Sequence, residues 1–177
     1  MAFAFLIVDD DPDVLKAAAL ALSGPQARIE TAGAPEGIEA HAAGCDAVLL
    51  DMNFALGARS GEEGLDALGR LKAFDSDLAV VLMTTFGGVS LAVEALKRGA
   101  EDFILKPWRN EALETVMAQA ALATRARRAE AGLTLDEIER RAIERALSAS
   151  GGNMTRAAAM LGLTRPALYR RLERHGL

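Results

Sequence analysis

The 177-residue chain contains one cysteine, Cys45, and only two histidines. A lone cysteine excludes an intramolecular disulfide, and without a His/Cys cluster at ligand spacing there is no zinc-type site. Cys45 reads as a small packing residue. No apolar run approaches the roughly 20 residues that cross a bilayer, and the amino terminus has neither the basic start nor the cleavage site of a signal peptide. The expected location is therefore the cytoplasm, with no membrane partner. No Gly-x4-Gly-Lys-Ser/Thr run occurs, which excludes a P-loop nucleotide site. With 51% hydrophobic and 25% charged residues, the composition is that of a soluble globular protein rather than a disordered one.

Charge is unevenly spread. Residues 1–124 carry 9 Lys/Arg against 19 Asp/Glu, a net −10, whereas residues 133–177 carry 8 against 5, a net +3. From Gly151 onward five arginines face one acid, Glu173. The far end therefore suits a polyanion and the front half does not.

Short apolar runs alternate with helical patterns through the first 124 residues. The spacing predicts strands at Phe3–Val8, Arg28–Ala32, Ala47–Leu50, Leu78–Met83 and Asp102–Leu105. Helices are expected at Pro12–Leu22, Pro35–Ala43, Glu62–Ala73, Val89–Arg98 and Arg109 to about Arg128. Strands such as AVLLD and LAVVLM are apolar on both faces, as in a parallel sheet covered by helices on each side. The expected fold is α/β, a doubly wound five-stranded parallel sheet of the flavodoxin-like kind, followed by a small all-α helix-turn-helix domain. Ligands of such sheets bind beyond the carboxyl ends of the strands.

Those ends carry polar residues: Asp9 and Asp10, Asp51, Thr84, and Lys106 before Pro107. Three gathered carboxylates call for a hard cation, and Mg²⁺ prefers oxygen ligands. Lys106 would add positive charge and Thr84 a hydroxyl, so that one carboxylate could attack an activated phosphate. Asp11 and Asp13, flanking Pro12, instead suit the start of a helix. Trp108 is expected to pack over its loop, and His41, with no acidic partner beside it in sequence, to be solvated.

LIVDDDPDVL, AVLLDMNF, VVLMTTFG and GAEDFILKPW, in this order, resemble a two-component response-regulator receiver domain of the NtrC class over residues 1–124. The resemblance implies that Asp51 accepts a phosphoryl group from a sensor histidine kinase. It implies that Asp9, Asp10, Asp51 and the backbone carbonyl of Asn53 hold Mg²⁺. Lys106 and Thr84 would contact the phosphoryl oxygens, and Phe103 would be the switch aromatic that turns inward after Thr84 moves. Two features depart from the family. The loop after Asp51 is about two residues longer and carries Ala55 where a proline is common. Thr85 and then Phe86 follow Thr84 where a smaller residue is usual.

The composition then shifts to TRARRAEAG, an Arg/Ala-rich linker over 125–133 that continues the last receiver helix. A second domain over 134–177 opens at Thr134, with Glu137 three positions on in a capping-box pattern. Within it, Thr155 to Leu161 forms a short helix, Gly162 allows a turn, and Thr164 caps the next helix with Pro166 in its first turn. This is a helix-turn-helix pattern, whose second helix enters the major groove. GGNMTRAAAMLGLTRPALYRRLERHGL resembles the Fis-type DNA-binding domain. The expected DNA contacts are Asn153, Thr155, Arg156, Thr164, Arg165, Tyr169, Arg170, Arg171 and Arg174. Ile138, Ala142, Ile143, Ala146 and Leu147 lie along one side of the preceding helix as a dimer seam.

The combined reading is a bacterial two-component response regulator, not an enzyme. It resembles the short redox- and photosynthesis-responsive regulators that join receiver to Fis-type domain with no ATPase between. Phosphorylation of Asp51 would control binding to double-stranded DNA at a near-palindromic site, as a homodimer when phosphorylated, with RNA polymerase as a further partner. The alternative is a phosphoryl-accepting adaptor or phosphate sink acting through protein contacts.

Overall fold

The structure is a computed structural model describing residues 2–25, 27–54, 61–85 and 89–177. Ala55 and Phe86, two positions where the sequence departs from the receiver pattern, lie outside the described residues. The chain folds as two compact units, Met1–Arg128 and Ala129–Leu177.

In the first unit, β1 (Ala4–Val8), β2 (Arg28–Ala32), β3 (Ala47–Asp51), β4 (Ala79–Thr84) and β5 (Asp102–Leu105) form one sheet in the order β2-β1-β3-β4-β5. Every pairing is parallel. Alternate residues face opposite sides of a strand. Leu6, Val8, Val48, Leu50, Val80 and Leu82 therefore pack with Leu65, Leu68, Leu71 and Ala95 from α3 (Glu62–Phe74) and α4 (Val89–Lys97). Ile38 and Ala42 of α2 (Ile38–Ala42) join the same layer. Phe5, Ile7, Leu49, Val81 and Met83 pack on the other face against Ala18 of α1 (Pro12–Leu22) and Leu113, Met117 and Ala120 of α5 (Asn110–Ala131). Strand order reverses at the β1/β3 neighbourhood, where a crevice opens at the carboxyl ends.

Several element boundaries differ from the sequence expectation. The second helix starts at Ile38 rather than Pro35, because Gly37 at φ 70° holds a left-handed backbone that delays helix entry. The third strand runs one residue further and ends on Asp51 itself, which pairs with Met83.

The second unit contains α6 (Leu135–Ala149), α7 (Met154–Met160) and α8 (Arg165–His175). Thr134 and Glu137 form both bonds of the capping box. Gly162, at φ 65°, lies in the turn between α7 and α8. Ile143, Ala146, Ala157, Ala158, Leu168 and Leu172 form the core, with Leu147 packed against it. The expected seam on α6 therefore splits. Ile143, Ala146 and Leu147 serve the unit's own core, while Ile138 stays exposed.

Candidate functional site

The carboxyl ends of β1, β3 and β5 bring Asp9, Asp10, Asp51 and Lys106 together. Ligand oxygens of the three aspartates all lie within 4.8 Å of one another. Asp9 and Asp51 are buried, whereas Asp10 is exposed. Lys106 Nζ lies between them, donating to Asp9 Oδ2 at 2.5 Å and Asp51 Oδ1 at 2.7 Å. One ammonium cannot neutralise three carboxylates, and the remaining oxygen donors suit a hard divalent cation. Burial pushes the Asp9 carboxyl up, and Lys106, shared with Asp51, only partly counters it. Burial also works to lower Lys106, but the bonds from Asp51 and Asp9 prevail and raise it, so it stays protonated.

Local backbone bonds fix the aspartates. Asp11 N–H donates to Asp9 Oδ1 at 2.9 Å, and Asn53 N–H donates to Asp51 Oδ2 at 2.9 Å. Asn53 contributes more than the backbone carbonyl expected of it, since its Oδ1 accepts from Gly61 N–H at 3.0 Å and ties together the two ends of the loop after β3. Asp11 is the N-cap of α1, accepting from Asp13 N–H at 2.8 Å, and Asp13 itself sits in the first turn beside Lys16.

Thr84 is buried at the end of β4, and Lys106 N–H donates to its carbonyl at 2.8 Å. Phe103 is 38% exposed and lines an apolar hollow with Met52, Leu82, Thr84, Leu91, Ala92 and Ala95. The aromatic ring thus adjoins a space bounded by Thr84. Thr85 is exposed.

A residue that pattern reading missed is Gly64, in the first turn of α3. A Cβ there would lie 2.6 Å from Met52 Cα and 2.8 Å from the Asp51 carbonyl oxygen. Only glycine lets α3 approach the end of β3 this closely. Its signal was a glycine inside a helical run, which marks close packing as often as a break.

Cys45 is buried as a packing residue, and Trp108 packs on the α1/α5 side of the core. His41 is not merely solvated: it pairs with Glu30 of β2, brought alongside by the sheet. The Arg-rich end of α5 is anchored to the first unit. Arg125 binds Asp46 at 2.7 Å, Arg127 binds Glu101 at 2.5 Å and Arg128 binds Asp75 at 2.7 Å.

In the second unit, Asn153 and Thr164 are spent on capping, accepting from Thr155 and Arg156 N–H and from Ala167 N–H respectively. Thr155, Arg156, Arg165, Tyr169 and Arg170 are exposed. Arg174 is exposed as well, but it and the half-buried Arg171 bind Glu139 of α6. His175 and then Arg171 hold the Glu139 carboxyl below its ordinary value.

A doubly wound parallel sheet with clustered aspartates and one lysine at its carboxyl edge is the architecture of a receiver domain. The chain belongs to the response regulator receiver domain family, which matches residues 5–118, and residues 134–175 match the bacterial regulatory protein, Fis family. No ATPase domain lies between the two matches. The nitrogen assimilation regulatory protein NtrX of Azorhizobium caulinodans is 37% identical over 131 residues, covering 72% of this chain and 28% of that protein. The transcriptional regulatory protein FixJ of Bradyrhizobium diazoefficiens is 44% identical over 62 residues, covering 35% of this chain and 30% of that one. The receiver domain of NtrX from Brucella abortus superposes with a TM-score of 0.59 at 32% identity, covering 66% of this chain and 97% of the domain. The chain spans less than a third of the length of these two curated relatives. Among the described residues no helix is long and apolar enough to cross a membrane.

Proposed function

We propose that the chain is a bacterial response regulator in which phosphorylation of Asp51 controls DNA binding by the carboxyl-terminal helices. The domains would be a receiver over 1–124, an Arg/Ala-rich linker over 125–133 and a DNA-binding domain over 134–177. The observation that carries the reading is the Lys106 ammonium bonded to Asp9 and Asp51, with Asp10 beside them.

Phosphohistidine of a sensor kinase is the donor. An Asp51 carboxylate oxygen forms the new O–P bond as the N–P bond breaks, and the leaving imidazole nitrogen takes up a proton. Asp9, Asp10, Asp51 and the Asn53 carbonyl are the residues that would hold Mg²⁺, which supplies charge neutralisation for the incoming phosphoryl group. Lys106 holds a fixed positive charge where the transferred oxygens arrive, and Thr84 offers a hydroxyl to them. As Thr84 turns toward the phosphoryl group, Phe103 moves into the adjoining hollow. That changes the face of α4 and β5, where Val93, Leu96 and Leu105 are exposed.

The DNA-reading face comprises Thr155, Arg156, Arg165, Tyr169 and Arg170, engaged by a homodimer on a near-palindromic duplex in the cytoplasm. RNA polymerase is a further partner. The test is DNA affinity with and without a small-molecule phosphoryl donor, for the parent chain and Asp51→Asn. The donor should shift the affinity of the parent only. Equal affinity in all four cases removes the switch.

A further inference from the structure

We infer that the arginines of α8 divide into two classes: Arg165 and Arg170, with Arg156 of α7, contact DNA, whereas Arg171 and Arg174 are positioning residues held by Glu139. The inference rests on the DNA-binding reading and narrows it. Glu139 Oε1 accepts from Arg171 Nε at 2.5 Å, and Glu139 Oε2 accepts from Arg174 Nη2 and pairs with His175 Nε2 at 2.9 Å. Asp136, one turn earlier on α6, lies 3.2 Å from Arg174 Nη2 and 3.5 Å from His175 Nδ1. The His175 side chain is only 2% exposed. A single exposed ion pair contributes little, but a network on one carboxylate with a buried member holds its geometry.

Residues 171, 174 and 175 fall at i, i+3 and i+4 and share a face. That face adjoins the buried Leu168–Leu172 stripe and turns toward α6. Arg170, four residues before Arg174, lies beside that face, but it is exposed and the α6 acids engage Arg171 and Arg174 instead. Neither Arg170 nor Arg156 has an ion pair or side-chain hydrogen bond among the described residues. Arg165, in the first turn, has its guanidinium 5.6 Å from the Tyr169 ring centroid, and its Nη2 donates to Tyr169 Oη at 3.3 Å. That pair is preordered on the turn that faces base edges in a helix-turn-helix complex. Arginine count therefore overstates how many phosphates α8 can bind.

The test is binding of the full chain to a fluorescent random-sequence duplex of about two helical turns, followed across salt concentration. Removing one phosphate-binding side chain flattens the log-affinity against log-salt slope by about one. Arg156→Ala and Arg170→Ala should each weaken binding and flatten the slope, and Arg165→Ala, on the turn facing base edges, should weaken binding. Arg171→Ala and Arg174→Ala should keep the parental slope while lowering the thermal midpoint of the second unit. Glu139→Gln should steepen the slope by releasing two guanidiniums, and Glu144→Gln on the same helix should not, which separates release from loss of a nearby negative charge. A thermal double-mutant cycle of Glu139→Gln with Arg171→Ala should be non-additive. Slope loss in Arg171→Ala equal to that in Arg170→Ala, or additive thermal effects, overturns the division. Parental binding indifferent to Arg165 and Arg170 would instead refute the DNA reading itself.

Discussion

Four aspartates within five positions, Asp9, Asp10, Asp11 and Asp13, perform separable tasks. Asp9 is buried against Lys106, Asp10 is exposed at the rim of the acidic site, Asp11 caps α1, and Asp13 lies in the first helical turn. If the site holds Mg²⁺, loss of Asp10 removes a first ligand, while loss of Asp13 removes only an exposed helix-end charge. Asp10→Asn should abolish Mg²⁺-dependent phosphorylation of Asp51, read by transfer of labelled phosphate from a donor. Asp13→Asn should keep it and cost about 0.3–1 kcal/mol of stability. Similar phosphorylation losses in both variants would refute the division. At this scale the sequence was informative because strand ends and helix starts are local patterns. Gly64 was not, since what makes it necessary is the backbone of Asp51 and Met52, a close approach created only when α3 folds onto β3.

The elements show where sequence reading stops. β1, β3 and β4 and the helices flanking the sheet were legible from apolar periodicity, because a continuous core covers both faces of these strands; β2 and β5, with no buried residue, were legible only from their place in the alternation of strands and helices. The end of α5 was legible only as an Arg/Ala-rich run continuing a helix. Its purpose depends on partners distant in sequence: Asp46, Asp75 and Glu101, at the amino-terminal edge of the sheet. His41 was misread for the same reason, its acid coming from a neighbouring strand. Asp46 is the most enclosed of these acids, accepting from Ala4 N–H at 2.8 Å as well as from two Arg125 nitrogens. Burial alone would raise its carboxyl, but Arg125 and the Ala4 amide more than offset that and hold it below its ordinary value. A depressed folded value means the contribution is present above the unfolded value, near pH 3.9, and is lost as pH falls through the folded value. Asp46→Ala should destabilise the first unit at neutral pH by about 1–2 kcal/mol, by leaving part-buried donors of Ala4 and Arg125 unpaired. It should also make acid unfolding shallower below about pH 4, since one linked proton is removed. Denaturant melts across pH test this, and an unchanged acid limb would count against the clamp.

Assembly depends on what the second unit leaves uncovered. Leu135 is 86% and Ile138 46% exposed on α6, beside a groove lined by Leu133, Arg141, Ala142 and Arg145. A two-fold interface would bury the same patch from both copies. Covering the exposed parts of Leu135 and the half-buried Ile138 on each copy yields roughly 4–8 kcal/mol in all. Association itself costs about 4–15 kcal/mol. The two ranges overlap, so the proposed dimer, if held by this seam alone, would be marginal, a state that a modest bias from a phosphorylated receiver would shift. Ile138→Glu places a charge at the centre of the patch and should leave a monomer by sedimentation. Affinity for a duplex with two half-sites should then fall about 10²–10⁴-fold, the gain that linking two sites provides, while binding to a single half-site is unchanged. Because Ile138 lies outside the Ile143–Ala146–Leu168 core, the unit's own melting transition should hold. Equal losses on the two duplexes would place the effect in folding or in direct DNA binding, and the α6 seam would be discarded.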